Sequence, residues 1–253
     1  MFLKGKILLL LCFLIPSGVH PLQLPRLEGK ESSFYHWKVL QEGAQEGSSS
    51  RMNRIPSETR LELTPRNDKG VEKLFLTLQT TLMNGDLSEI EVTFRYPFIV
   101  TAYRETLRDL KGNVLKETTL YHPEDLRESE TQIIPAPLLP VALRATRFIK
   151  YSTDALKVSF GELEFSVHAT PVQRKTLWTP AGKFRCFRVT LDWESTDFIP
   201  SPFFFRWLNE SLLPMMEFYF TTDPPHRWIS YEGPYPGPAG PRLFGALYAE
   251  SSQ

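Results

Sequence analysis

The chain has 253 residues, 42% hydrophobic and 13% aromatic, and its 29 basic side chains balance its 29 acidic ones. A net charge of zero argues against nucleic acid as a partner and gives no overall pull toward anionic lipid. The 21 prolines argue against long helices.

Residues 1–18 have the order of a secretory signal. Lys4 and Lys6 precede an apolar run, Ile7 to Ile15, which ends at Pro16-Ser17-Gly18. The run is shorter than the roughly 20 residues needed to cross a bilayer. This predicts export to the periplasm or beyond, and a mature chain without a transmembrane segment. Cys12 lies between Leu11 and Phe13, which is not the setting of a lipid-modified cysteine. Cleavage removes Cys12 and leaves Cys186, so an internal disulfide is excluded and the core alone must hold the fold. About 230 residues are enough for that.

Residues 19–33 read as an exit linker, and residues 34–253 as a single β-rich domain. Phe34 to Leu40 reads as the first strand. The polar stretch 42–58, with Gly43, Gly47 and Ser48-Ser49-Ser50, reads as a long loop. The period then becomes two. Leu61 and Leu63 alternate with charged neighbours, and Leu74, Leu76 and Leu78 share a face. Asn84-Gly85 signals a hairpin. In the next strand Ile90, Val92, Phe94 and Tyr96 face one way and Glu91, Thr93 and Arg95 the other, as in a sheet wet on one side. Pro97 bends or interrupts this strand, and Phe98 to Leu107 continues extended to a turn at Asp109–Gly112. Val114 to Tyr121 returns.

Residues 122–132 read as an acidic loop, and Pro135 opens a short helix that runs to about Arg147. Strands resume near Val158, over 163–169 and over Val172 to Trp178. Thr179-Pro180-Ala181-Gly182 forms a turn. Phe187, Val189, Leu191 and Trp193 then alternate with polar residues. Ser201-Pro202 caps a second helix reaching about Leu213. Met216, Phe218 and Phe220, then Arg227 to Tyr231, then Leu243 to Ala249 are the closing strands. The fold class is mainly β: one curved antiparallel sheet of about ten or eleven strands, a half-barrel, with one or two short helices on its concave side.

The chemistry-bearing residues are few. None of His36, His122, His168 and His226 has a second histidine two to five residues away, so no local metal clip exists and no cofactor is implied. His122 with Glu124 and Asp125 is the densest acidic cluster and reads as a solvated loop. His226 reads as a turn residue, and His168 as exposed on its strand. Cys186 has arginines beside it, which lower a thiol pKa, but no histidine nearby, and reads as structural. No serine elbow or phosphate loop is present. Phe203, Phe204, Trp207 and Leu208 would share one face of the second helix and cover the open side of the sheet.

Three segments resemble a known family. Trp178-Thr179-Pro180-Ala181-Gly182-Lys183-Phe184, followed by Arg185-Cys186-Phe187-Arg188-Val189, is similar to a hairpin of bacterial periplasmic domains of unknown function. These are related in shape to the LolA and LppX lipoprotein-carrier half-barrels. Tyr219 to Trp228, with Gly233-Pro234, resembles their last hairpin, and Arg104 to Val114 an earlier one. Together the segments span residues 90–250, loosely. The resemblance implies handling of a lipid or another hydrophobic ligand in an apolar concavity, without catalysis. Phe94, Tyr96, Phe165, Val189, Phe203, Trp207 and Phe218 are the candidate lining residues. The alternatives are an envelope assembly protein acting through protein contacts and, last, a secreted hydrolase built on His226 or His122 with carboxylates.

Overall fold

Alternation of buried and exposed residues is the rule that builds this protein. In the computed structural model, which describes residues 22, 24–41, 55–68, 70–96, 98–121, 133–150, 152–160, 163–193, 215–235 and 241–252, thirteen strands join one sheet. They are β1 (Glu31–Gln41), β2 (Pro56–Asp68), β3 (Val71–Leu82), β4 (Leu87–Arg95), β5 (Ile99–Arg108), β6 (Val114–Tyr121), β7 (Ile133–Pro135), β8 (Asp154–Phe160), β9 (Leu163–Thr179), β10 (Gly182–Trp193), β11 (Met216–Thr221), β12 (Trp228–Pro234) and β13 (Arg242–Ser252). Their order is β6-β5-β4-β3-β2-β1-β13-β12-β11-β10-β9-β8-β7. Every neighbouring pair is antiparallel except β7 with β8. The sheet is curved and open, so the half-barrel architecture expected from the sequence is the one observed.

The order has a consequence for the interior. β1 pairs with both β2 and β13, so the first and last strands lie at the centre. Two meanders run outward from them to opposite edges, β6 and β7. The chain must therefore pass from one edge to the other halfway along its length. Following β7, a short helical run comprises 3₁₀ turns at Ala136–Leu138 and Leu143–Ala145 around an α-turn at Leu139–Ala142. Leu138, Leu139, Val141, Ala142 and Leu143 are all buried, as in a helix surrounded by protein on every side. This run belongs to the same core as the strands, with Phe94, Val158, Val189 and Phe220.

Local chemistry sets the hairpins. Gly85 and Gly112 have φ of 86° and 83°, the left-handed conformation that glycine adopts without a Cβ clash. Asp109 Oδ1 accepts hydrogen bonds from the backbone N–H of Lys111 and Asn113, both at 2.8 Å, and ties the β5–β6 turn.

Several boundaries differ from the sequence reading. β1 begins at Glu31, so residues 31–33 leave the predicted linker. β2 begins at Pro56, which takes residues 56–58 from the predicted loop. The chain is interrupted between Arg95 and Ile99, one of the two outcomes expected at Pro97: β4 and β5 are separate strands and antiparallel partners. The two runs predicted at 163–169 and 172–178 are one strand, β9. Its pairing with β10 shifts register between Arg188 and Val189, beside Pro171. β8 begins opposite Ala169, so the missing N–H of Pro171 costs no β8 bond there. The described residues form thirteen strands where ten or eleven are expected, and β7 is the strand with no counterpart in the sequence reading. The signal, the 122–132 loop and the helix predicted at 201–213 lie outside the described residues.

Candidate functional site

Between the helical run and the sheet centre lies an apolar cavity of about 60 Å³. Three parts of the chain wall it. Trp37, Thr59, Leu78 and Thr80 come from β1, β2 and β3; Ala136, Pro137, Leu139 and Pro140 from the helical run; Met216, Phe218, Trp228, Tyr231 and Tyr235 from β11, β12 and the residue after it. The aromatic rings form a continuous layer. Trp37 lies 6.0 Å from Trp228 and 5.8 Å from Tyr231, centroid to centroid, and Phe218 lies 4.9 Å from Tyr231. Gly245 is the cross-strand partner of Trp37, and a Cβ there would meet the indole at 2.8 Å. The glycine makes the room that Trp37 occupies.

The polar atoms of this wall are already engaged. Trp37 Nε1 donates to Thr59 Oγ1 at 2.9 Å, and Thr59 shares a hydrogen bond with Thr80 at 3.1 Å. Trp228 Nε1 donates to the Ser230 carbonyl at 3.0 Å, and the Tyr231 hydroxyl donates to the Pro234 carbonyl. Burial pushes the Tyr231 phenol well above its ordinary value and that of Tyr235 up to about 12, so both stay neutral. A wall of this kind offers dispersion and apolar contact, and no charge.

The helical run is fixed over the cavity by an ion pair. Arg144 is 3% exposed, and its two terminal nitrogens donate to the two carboxylate oxygens of Glu31 at 3.0 and 2.9 Å. Its Nε donates to the Pro225 carbonyl at 3.1 Å. One guanidinium thus joins the helical run, the start of β1 and the turn after β11. Beyond it, Phe148 packs on His226 at 4.1 Å and on Phe187 at 5.2 Å.

Of the seven candidate lining residues, Phe218 lies on the cavity. Phe94, stacked on Phe98 at 5.2 Å, and Val189 are fully packed core. Phe165 packs edge-on against Trp193 at 5.6 Å. Tyr96 is half-buried, its hydroxyl donating to the Pro25 carbonyl at 3.5 Å. Phe203 and Trp207 lie outside the described residues, as do His122, Glu124 and Asp125. Trp37, Trp228, Tyr231 and the Glu31–Arg144 pair were not singled out from the sequence. Trp37 and Tyr231 carry a usable signal, because each alternates with polar neighbours on its strand. The ion pair carries none, since its partners are 113 residues apart.

Polar chemistry elsewhere is sparse. Cys186 is buried, and desolvation pushes its thiol up to about 12, which makes it a poor nucleophile. His226 is half-buried, and burial pushes its imidazole down. Its Nδ1 lies 3.0 Å from the Thr221 carbonyl, with φ of 54° at its backbone. It is the turn residue expected. His168 lies on β9 opposite Asp192, whose carboxyl is pushed up by burial. Among the described residues, no group of three or more His, Cys, Asp or Glu side chains could hold a metal ion. Among them, too, no helix is long and apolar enough to cross a membrane.

No protein-family model matches the sequence, and no curated protein matches it. Solved structures do align with the chain. A candidate lipoprotein of Parabacteroides distasonis aligns at 9% identity and a TM-score of 0.38, over 91% of this chain and 99% of that one. A β-barrel-like protein of the domain of unknown function DUF1849 from Brucella abortus aligns at 11% identity and 0.40, over 92% and 99%. A candidate exported protein with a YmcC-like fold from Bacteroides fragilis aligns at 10% and 0.34, over 92% and 100%. At TM-scores this low the alignments assign neither a family nor a function to this chain.

Proposed function

We propose that this protein is exported to the cell envelope and binds a lipid or another hydrophobic molecule without catalysing a reaction. The observation that carries the reading is the cavity wall: aromatic and aliphatic side chains from both halves of the sheet, with their polar atoms turned to internal partners. Volume limits what fits. The 60 Å³ present is less than half of the roughly 150 Å³ that admits benzene, and well below the hundreds of cubic ångströms of usual ligand pockets. A single acyl chain therefore enters only as the helical run 136–145 moves away from the sheet. The run fills the concavity when no ligand is bound.

Native mass spectrometry of protein purified gently from its own host tests this. The expected result is a lipid-sized mass increment, lost on organic extraction. The extracted protein then takes up a fluorescent apolar probe, and Met216→Trp, which fills the cavity, prevents that uptake. No bound lipid and no uptake by the wild type refutes the proposal. A second reading, assembly with an envelope protein, is favoured by the β6 edge. Among the described residues β6 pairs only with β5, and it exposes Val114, Leu115 and Leu120. Crosslinking in the native envelope would then trap a partner through β6.

A further inference from the structure

The β9–β10 hairpin extends past both of its neighbours. β8 begins opposite Ala169, and β11 ends opposite Cys186. Past Arg185, whose carbonyl accepts from the Thr222 N–H at 2.9 Å, the two strands have only each other as ladder partners up to the turn at Gly182, a reach of about 10 Å at the usual strand rise. At its end stands Trp178, which is 75% exposed. A tryptophan so exposed at a tip is unusual, because its burial is worth more than that of any aliphatic side chain.

Charge is concentrated on the same hairpin. Residues 173–185 contain Arg174, Lys175, Lys183 and Arg185, and no aspartate or glutamate. The register places Trp178 opposite Lys183, Thr176 opposite Arg185 and Arg174 opposite Phe187. Alternation along each strand then sets Trp178, Lys183, Arg185 and Arg174 on one face. Lys183 Nζ lies 4.9 Å above the Trp178 ring. On the other face Leu177 and Phe184 lean on the core. Among the described residues none of the four cations takes part in an ion pair. The zero net charge of the chain conceals a hairpin whose end, residues 173–185, is cationic and carries an exposed tryptophan.

We infer that this hairpin docks the protein onto an anionic lipid surface. The Trp178 ring enters the headgroup layer, where an amphipathic ring with one polar N–H is most favourably placed. Lys183 and Arg185 extend their charges to lipid phosphates while their methylene stems stay against the apolar boundary. A bilayer fits better than an acidic protein, because the tip offers one large exposed ring and exposed cations, not a shaped pocket. The surface is separate from the cavity, so docking stands whether or not the cavity takes a ligand.

Co-sedimentation of the purified protein with phosphatidylglycerol vesicles and with phosphatidylcholine vesicles, at low and high salt, tests the inference. The expected result is binding to the anionic vesicles alone, weakened by salt. The pair of changes Lys183→Gln and Arg185→Gln should lower affinity about 25-fold, at about fivefold per charge. Lys183→Arg should retain it. Brominated phosphatidylglycerol should quench the wild type and lose most of that quenching in Trp178→Ala. These side chains are exposed, so each variant should melt with the wild type. Equal binding to both vesicles, no binding to either, or full affinity in the double variant overturns the inference. So does capture of polyglutamate or single-stranded DNA by a protein that ignores vesicles.

Discussion

Replacing Glu31 by Gln attacks the join between the helical run and the sheet. In the native protein the Arg144 guanidinium has three hydrogen bonds, two to the Glu31 carboxylate and one to Pro225. Both side chains are almost fully buried, 3% exposed for Arg144 and 8% for Glu31. The substitution leaves a permanent charge in a dry site with a neutral amide in place of its counter-ion. Removing one partner of such a pair costs about 3–5 kcal/mol. For a protein of this size each kcal/mol lowers the melting temperature by roughly 2–4 °C, so the drop is roughly 6–20 °C. Replacing both partners by apolar residues of similar volume, Glu31→Leu with Arg144→Met, removes the stranded charge. The double variant should recover most of the loss. Thermal and urea unfolding of the wild type, Glu31→Leu, Arg144→Met and the double variant form a cycle that isolates the coupling. A single variant within about 0.5 kcal/mol of wild type, or a double variant that costs the sum of the singles, refutes the account of Arg144 as a buried latch.

Other expectations follow from the same coordinates. Leu139→Ala removes a buried wall of the cavity and should cost about 2–5 kcal/mol, while increasing uptake of a small apolar probe in a fluorescence titration. Gly245→Ala sets a Cβ against the Trp37 indole, so it should displace that ring, change near-ultraviolet circular dichroism and destabilise by about 1–3 kcal/mol. His226 has its pKa pushed down by burial, so the unfolded chain takes up the proton first as pH falls below its ordinary value of 6.5. Stability is therefore unaffected above that pH and declines below it. His226→Asn, which tolerates the positive φ, should remove this part of the acid slope when melting temperatures are compared across pH. Cys186 should resist a thiol reagent at neutral pH in the folded state and react at once in denaturant; rapid labelling of the native protein would contradict its burial.

The strands were legible because a half-buried sheet writes its pattern into single residues. Leu74, Leu76 and Leu78 alternate along β3, and Asn84-Gly85 marks a turn whose positive φ glycine accommodates. The same reasoning found the helical run after Pro135, the Asp109–Gly112 turn and the last three strands. Proline is a local signal against a strand, so β9 reads as two runs on either side of Pro171, whereas the proline's tolerance there depends on where β8 begins. Parity identifies the inward face and so marks Phe94, Phe165 and Val189 as lining residues. Parity cannot say which inward residues face a gap and which are packed against a neighbour.

The sequence by itself determined the β class, most hairpins and the inward face of each strand, since these follow from period-two patterning and turn stereochemistry. Only the tertiary structure decided that the first and last strands meet at the centre and that residues 136–145 pack into the core against them. It alone paired Glu31 with Arg144, left a small aromatic cavity beneath the helical run, and gathered Trp178, Lys183 and Arg185 on one projecting face. Those features depend on contacts between residues far apart in the chain or on the strand where pairing ends. Neither is encoded in any local window of sequence.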